Sequence, residues 1–365
     1  MKLIDKYIFK QVAFATIVGL IAFVVAWISP EILFKIIKRT IDGQISPVMA
    51  VKFFFLEIPE ILGTLIPASL MLGSIWVFDQ LSKDSELTIL RGIGVSFSRL
   101  VIPVVVLSMF GVTASFIIQE YMIPHSTTTL KALKHETNKD HFVYVDKTKS
   151  GKPKEILIVG HFNGKDIANV KLFSFSDTVS EDKPLISSIS TSNYAINGEG
   201  HWTLKDGIEY KIAPDGVYKS ITPFQVKKAL SPESAAKAYN LLGYSTKKPE
   251  QMRISELKSY LQLLASVDMQ SEYNYILSKY YQRFAQPFSC LLFALCGVIL
   301  GFGKPREQRF LGFTIGVALI FLYFIMIPFI EMLAHIGVMP PILSAWIPNF
   351  IIFGALTGLV KYKQI

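Results

Sequence analysis

Six stretches of the chain run almost without charge: 12–28, 61–78, 100–118, 284–303, 310–330 and 336–360. A helix needs roughly 17–25 apolar residues to cross about 30 Å of hydrocarbon. Each stretch therefore predicts a membrane-spanning helix, three before and three after a long polar insertion. The first runs on past Ser29-Pro30-Glu31 into "ILFKII", and "FFFLEIPE" extends the second upstream. The first is longer than a signal-peptide core and no small-residue cleavage site follows it, so it is expected to be a retained span.

Between the third and fourth stretches the period changes from helical to two. The segments "HFVYVD", "EILIVGHF", "NVKLFSFS", "SNYAIN", "HWTLKDGIEYKIA" and "KSITPFQV" alternate like half-buried strands, and "KSGKP", "NGKD", "NGEG" and "PDG" punctuate them. Short strands at near-regular spacing predict a β-sandwich or an open jelly roll. Their apolar side chains, Phe142, Tyr144, Ile156 and Ile158 among them, have two readings. They make the core of the β domain, or they line a groove for acyl chains. From Ile254 the pattern is helical again, with Ile254, Leu257, Leu261 and Leu264 on one face. The organisation expected is 1–124 for the first three spans, 125–275 for an all-β domain with helical connectors, and 276–365 for the last three spans.

Composition agrees with a membrane protein: 51% of the 365 residues are hydrophobic and only 18% charged. The cations are placed unevenly. Lys2, Lys6 and Lys10 precede span one; Lys83, Arg91 and Arg99 follow span two; Lys304, Arg306 and Arg309 follow span four; Lys361 and Lys363 follow span six. The positive-inside rule puts both termini and these connections in the cytoplasm, and the β domain outside. The net charge of +9 partly reflects that bias. Its cations are dispersed and no recognition motif accompanies them, so nucleic acid is not an expected partner.

Catalytic signatures are missing. No G-x-x-x-x-G-K-[ST], H-E-x-x-H or G-x-S-x-G occurs. Cys290 and Cys296 are six residues apart in one span, on different helix faces, which argues against a disulfide between them. Glu57 and Glu60 near the end of span two are solvated at the interface or touch a ligand. Lys35, Lys38 and Arg39 cluster where the first helix should leave the hydrocarbon, with Lys35 and Arg39 four apart on one face. Such cations snorkel to headgroups, or they form a phosphate site for an anionic lipid.

The connection "DSELTILRGIGVSFSRL" (84–100) carries its own helix signals. Asp84 or Ser85 can cap it, Glu86 and Arg91 complement the dipole at its two ends, and Gly92 can supply a left-handed stop, with Gly94 a second flexible point. Leu87 and Leu90 fall near one another. This two-turn cytoplasmic helix lies on the headgroups or docks into a groove on a partner. With no nucleotide site in the chain, a separate ATPase would have to drive any pumping.

Four segments resemble one family, the lipopolysaccharide export permeases LptF and LptG. "DKYI" resembles the family's D-R/K-Y start, and "SELTILRGIGVSFSRLVIP" its Glu, R/Q-A-x-G-x-S/T and basic residue before span three. "YQRFAQPFSCLLFALCGVILG" is similar to its R-x-A-x-P fourth span, and "GVMPPILSAWIPN" to its entry to span six. The resemblance covers essentially the whole chain. It implies six transmembrane helices, three plus three, around a β-jellyroll domain that is periplasmic, in the inner membrane of a Gram-negative-type bacterium. It implies a permease half that pairs with a second LptF/LptG-type subunit on an LptB-type ATPase dimer. That assembly would extract lipopolysaccharide and pass it through the β domain to LptC- and LptA-type proteins. No cofactor is expected in this chain, because ATP and Mg would be bound by the ATPase. The helix with Asp84, Glu86, Leu87, Leu90 and Arg91 becomes the coupling helix. Lys38 and Arg39 fall where the family keeps cations for lipid phosphates, although Glu31 and Ser29-Pro30 interrupt the pattern here. The alternative is a membrane-anchored assembly protein whose β domain docks partners without transport.

Overall fold

The structure is a computed structural model, and it describes all residues except 1–2, 28–29, 44, 135–138, 149–151, 164–165, 177–184, 199–200, 268, 304–309 and 364–365. The cations expected after span four (Lys304, Arg306 and Arg309) and Lys2 lie outside the described residues. The chain divides into two compact units. One comprises Met1–Leu130, Glu250–Ser255 and Asn274–Ile365; the other comprises Lys131–Pro249 and Glu256–Tyr273.

The first unit contains α1 (Leu3–Trp27), α2 (Pro30–Ile41), α3 (Pro47–Lys83), α4 (Glu86–Gly92) and α5 (Phe97–Ile117). A π-helical turn (Ile118–Met122) joins α5 to α6 (Ile123–Lys134). After the insertion come α9 (Gln270–Gly301), α10 (Phe310–His335) and α11 (Pro341–Lys363). Six of these segments are long and apolar enough to cross a membrane, as the hydropathy pattern predicts. Helical structure is described again from Pro30 to Ile41, so "ILFKII" is helical as well. Helix α3 begins at Ser46, whose hydroxyl accepts from the Met49 N–H at 3.3 Å, with Pro47 at the first helical position.

Burial sorts the spans. The windows of α3 and α9 are 78% and 72% buried, whereas that of α1 is 11% buried. α3 and α9 therefore form the centre, and α1 turns Phe14, Ile17, Ile21 and Val25 outward. Two clusters hold this unit together: Leu70, Phe78, Leu81, Leu100 and Val298 in one, Met71, Ile75, Phe293, Leu300 and Tyr323 in the other. Gly297 and Gly301, one turn apart on α9, let the backbone of α3 approach. A Cβ on Gly297 would stand 2.4 Å from the Met71 carbonyl oxygen, and one on Gly301 2.5 Å from that of Ile75. At the far end of α9, the Lys363 ammonium donates to the carbonyls of Ile299, Leu300 and Phe302, groups that a helix C-terminus leaves without partners. Cys290 and Cys296 are buried and free.

The second unit is built on six antiparallel strands paired in sequence order: β1 (Lys139–Lys147), β2 (Pro153–Phe162), β3 (Ile167–Phe175), β4 (Ile186–Gly198), β5 (His201–Ile212) and β6 (Tyr218–Ala229). Each strand connects to its neighbour, so one meander carries the alternation read from the sequence. Helix α7 (Pro232–Ser245) packs on β1 and β5. The indole N–H of fully buried Trp202 donates to the Ala235 carbonyl at 3.1 Å, and Ser234 Oγ donates to Asp146 Oδ1 at 2.8 Å. Helix α8 (Ile254–Val267) buries Leu257, Leu261 and Leu264, the face expected of it.

Besides register shifts at Asp146/Lys147, Ser174/Phe175 and Lys211/Ile212, one irregular level crosses all six strands. His141, Gly160, Asn169, Asn193, Asp206 and Gln225 lie between consecutive pairs of every ladder, from Phe142↔Val159 and Asp140↔His161 in the first to Gly207↔Phe224 and Lys205↔Val226 in the last. His141, Asn169 and Asp206 take φ of 57°, 54° and 49° there. Crossing this level exchanges the buried face: Val159 gives way to Phe162 in β2, Ile167 to Val170 in β3, Ser192 to Ala195 in β4. Because all strands exchange together, the pairing register runs on undisturbed.

Candidate functional site

Helix α4 is held from inside. Leu87 is buried in the cluster of Ile8, Val12, Leu81, Leu100 and Val298, and Leu90, Val95 and Phe97 pack against the same cluster. The start of α4 departs from the sequence expectation. Ser85 holds the N-cap position at φ 61°, but its side chain makes no capping hydrogen bond. Its end departs too. Gly92 is the last helical residue, and Gly94, at φ 87°, makes the left-handed turn. The Val95 N–H bonds the Leu90 carbonyl and the Gly94 N–H that of Arg91, both at 3.0 Å. This closure brings Val95 back over Leu90, and only the residue after the cap can make it.

Both charges of α4 have partners in other segments, although Glu86 is only half-buried and Arg91 is exposed. Tyr7 Oη donates to Glu86 Oε1 at 3.3 Å, tying α4 to α1. The Arg91 guanidinium lies over the Phe302 ring, 5.5 Å from its centroid, and Phe302 meets Phe97 edge-on at 5.3 Å. Asp84 is exposed beside them. Two large apolar side chains stand exposed beside Thr88 and Arg91: Ile89 is 62% and Ile93 71% exposed. Sequence reasoning did not single out Ile89; the available signal was its spacing of four from Ile93.

Lys38 and Arg39 occupy the last turn of α2, where a cation also complements the helix dipole. Lys38 is exposed and Arg39 half-buried. Lys35 lies earlier in α2, and its side chain is outside the described residues. Glu57 and Glu60 are half-buried on α3.

The four residues expected along an acyl path divide between two faces. Phe142 pairs with Val159 and Tyr144 with Leu157 on the buried face; Val143 pairs with Ile158 and Val145 with Ile156 on the other. Parity within each strand is legible in the sequence, but the register between strands is not, and the register decides which residues share a face. On the buried face, apolar side chains from β1 to β3 continue into Ser188, Ser190 and Ser192 of β4. Lys227 Nζ reaches Ser190 Oγ and Glu209 Oε1, each at 2.7 Å. That hydrogen bond holds the Glu209 carboxyl below its ordinary range. Burial, reinforced by Asp146, pushes the Tyr144 phenol up to about 12, so it stays neutral.

A further polar centre lies inside the first unit, and sequence reasoning missed it. Lys279 Nζ bridges Glu250 Oε1 at 2.6 Å and Glu331 Oε1 at 2.7 Å. These three side chains border a cavity of about 200 Å³ with Thr64, Gln282 and Tyr323. One turn along α9, the buried Arg283 donates to three backbone carbonyls. The acidic members of the Lys279 centre come from 250 and 331, so no single stretch of sequence displays it. Among the described residues, no group of three or more His, Cys, Asp or Glu is arranged to hold a metal ion.

The quoted segments meet in space. "DKYI" touches the α4 segment through Tyr7 and Glu86. The segments of α9 and α11 meet where Asn349 Nδ2 donates to the Ala285 carbonyl at 2.6 Å and where Ser278 and Ser344 share a hydrogen bond, also 2.6 Å long.

Six spanning helices, an inserted antiparallel β unit and an internally braced helix between spans two and three define a helical, multi-pass membrane protein. Residues 6–362 match the family model "Lipopolysaccharide export system permease LptF/LptG", so the chain belongs to that family. No individually curated protein matches the sequence. Membership makes it a multi-pass inner-membrane protein and a permease of lipopolysaccharide export rather than an enzyme.

Proposed function

We propose that the chain is one permease half of an ABC exporter, driven through α4 by a separate ATPase dimer of the LptB type. The observation that carries this reading is the construction of α4. Its inner side is bonded to α1, to the α3–α5 cluster and to the end of α9, and its outer side presents Ile89 and Ile93. A helix so built moves as one piece with the four spans it touches when its outer side is gripped. ATP and Mg belong to the ATPase, and this chain supplies the lever. Glu86 and Arg91 brace the lever, while Ile89 and Ile93 meet the partner.

In this reading both termini and α4 face the cytoplasm and the β unit is periplasmic, supported by the positions of Lys83, Arg91, Arg99, Lys361 and Lys363. A second LptF/LptG-type subunit covers part of the exposed apolar surface of the spans. Lipopolysaccharide leaves the membrane between the two halves, with its phosphates held by α2. It then passes along the buried face of the β sheet toward LptC- and LptA-type proteins.

The test is co-purification of the full chain with its ATPase, followed by ATP-driven lipid release. Ile89→Asp should abolish co-purification, because a carboxylate would be desolvated in the contact. Glu86→Ala should preserve binding but lower release. Normal binding and release by Ile89→Asp would refute the docking surface. Photo-adducts of the β unit with proteins alone, never with lipid, would favour an assembly role without transport.

A further inference from the structure

Residues Glu250–Ser255 belong to the membrane unit, although Lys131–Pro249 before them and Glu256–Tyr273 after them belong to the β unit. The β unit is thus threaded through a six-residue strap that is part of the helical bundle. Three groups grip this strap. Arg283 of α9 donates through Nη2 to the carbonyls of Glu250 at 2.7 Å and Met252 at 2.6 Å. Its Nη1 donates to the Gln119 carbonyl, 2.8 Å away in the π-helical turn that ends span three. Glu120, next in that turn, accepts from the Ile254 N–H with both oxygens, at 3.2 and 3.1 Å. Lys279 holds the Glu250 carboxylate and, through Glu331, ties it to α10. Met252 between these contacts is fully buried.

This arrangement joins four pieces of chain through two cations four residues apart. A buried guanidinium that lost its carbonyls would stand unpaired in the bundle, which is far more costly than moving the strap with it. The planar fork of Arg fixes the strap and the π turn in one geometry, which a flexible ammonium could not. A π turn breaks the regular helical ladder, and here the carbonyl of Gln119 serves Arg283. The strap therefore follows the relative positions of spans three, four and five.

We infer that the strap is the joint by which movement of the spans is delivered to the β unit, with Arg283, Lys279 and Glu120 as positioning residues that need not touch the lipid. This inference rests on the transport reading above.

The test uses the full chain, alone in nanodiscs and assembled with its ATPase in lipopolysaccharide-loaded vesicles. Hydrogen exchange at the strap amides is measured with the first, ATP hydrolysis and lipid release with the second. Glu120→Ala, which leaves no buried cation unpaired, should speed exchange of the Ile254 amide at least tenfold. It should lower lipid released per ATP severalfold while hydrolysis stays within twofold. Arg283→Lys should give the same split, and Glu120→Gln, which keeps an acceptor, should restore most of the release. Unchanged exchange in Glu120→Ala and Arg283→Lys would overturn the clamp. Faster exchange with unchanged release per ATP would overturn the joint. A wild-type assembly that hydrolyses ATP but releases no lipid would refute the transport reading and the joint with it.

Discussion

Gly297 offers the sharpest quantitative test of the bundle. A Cβ added there meets the Met71 carbonyl oxygen at 2.4 Å and Ser74 Cβ at 2.8 Å. Ordinary contacts of this kind are about 3.5 Å, so α3 and α9 must separate by roughly 1 Å to admit a methyl group. Such a gap forfeits a quarter to a half of each dispersion well along the contact, and overpacking of this kind costs about 1–3 kcal/mol. Alanine also gains up to ~1 kcal/mol of helix propensity over glycine. Gly354→Ala in α11 makes the same exchange where nothing lies within 4 Å, so the difference between the two variants isolates the packing cost. At roughly 2–4 °C per kcal/mol for a unit of this size, Gly297→Ala should melt about 2–12 °C below Gly354→Ala. A thiol-reactive fluorogenic dye in mild detergent reads this directly, because Cys290 and Cys296 are both buried and report the opening of α9. Coincident melting curves would refute the close approach of the two helices.

Glu155 sits above its ordinary value of 4.5 because burial disfavours its charge, while the Leu230 N–H bonds it at 3.1 Å. A raised carboxyl makes the folded state hold its proton more tightly. That contribution is present below the ordinary value and is lost as pH rises through the folded one. Glu155→Gln, which keeps an acceptor for Leu230, should therefore be more stable than wild type at neutral pH. The gap should close at acidic pH in a thermal melt followed by circular dichroism. Replacing Lys38 and Arg39 together by Ala should weaken binding of phosphorylated lipid A more than of its dephosphorylated form, measured with nanodisc-embedded protein; equal losses would leave snorkelling as their role. A photo-reactive residue at Tyr144 should label lipid during transport and one at Ile158 should not, and the reverse pattern would invert the assignment of the sheet faces.

Much of the architecture was legible because long apolar runs and alternating strands leave local signatures. The spans, the β insertion and the helix from Ile254 follow from periodicity alone. Helix α7 had signals that were passed over: Ser231 before Pro232, with its hydroxyl accepting from the Ser234 N–H at 3.3 Å. What sequence could not show depends on register and long-range contact. Ile156 and Ile158 share a pattern with Phe142 and Tyr144 yet fall on the opposite face. Glu86 and Arg91 read as charges without partners until Tyr7 and Phe302, far away in the chain, are brought against them. The Lys279 centre gathers residues from three separate segments that only the fold brings together.

The level of His141, Gly160, Asn169, Asn193, Asp206 and Gln225 sets how the β sheet can deform. In an ordinary twisted sheet, bending spreads over many residues and strains every cross-strand bond. Here the unpaired residues follow one another across all six strands, like the score in a sheet of card. A bend confined to that score would leave the ladders on either side with their pairings, and no strand would have to slip.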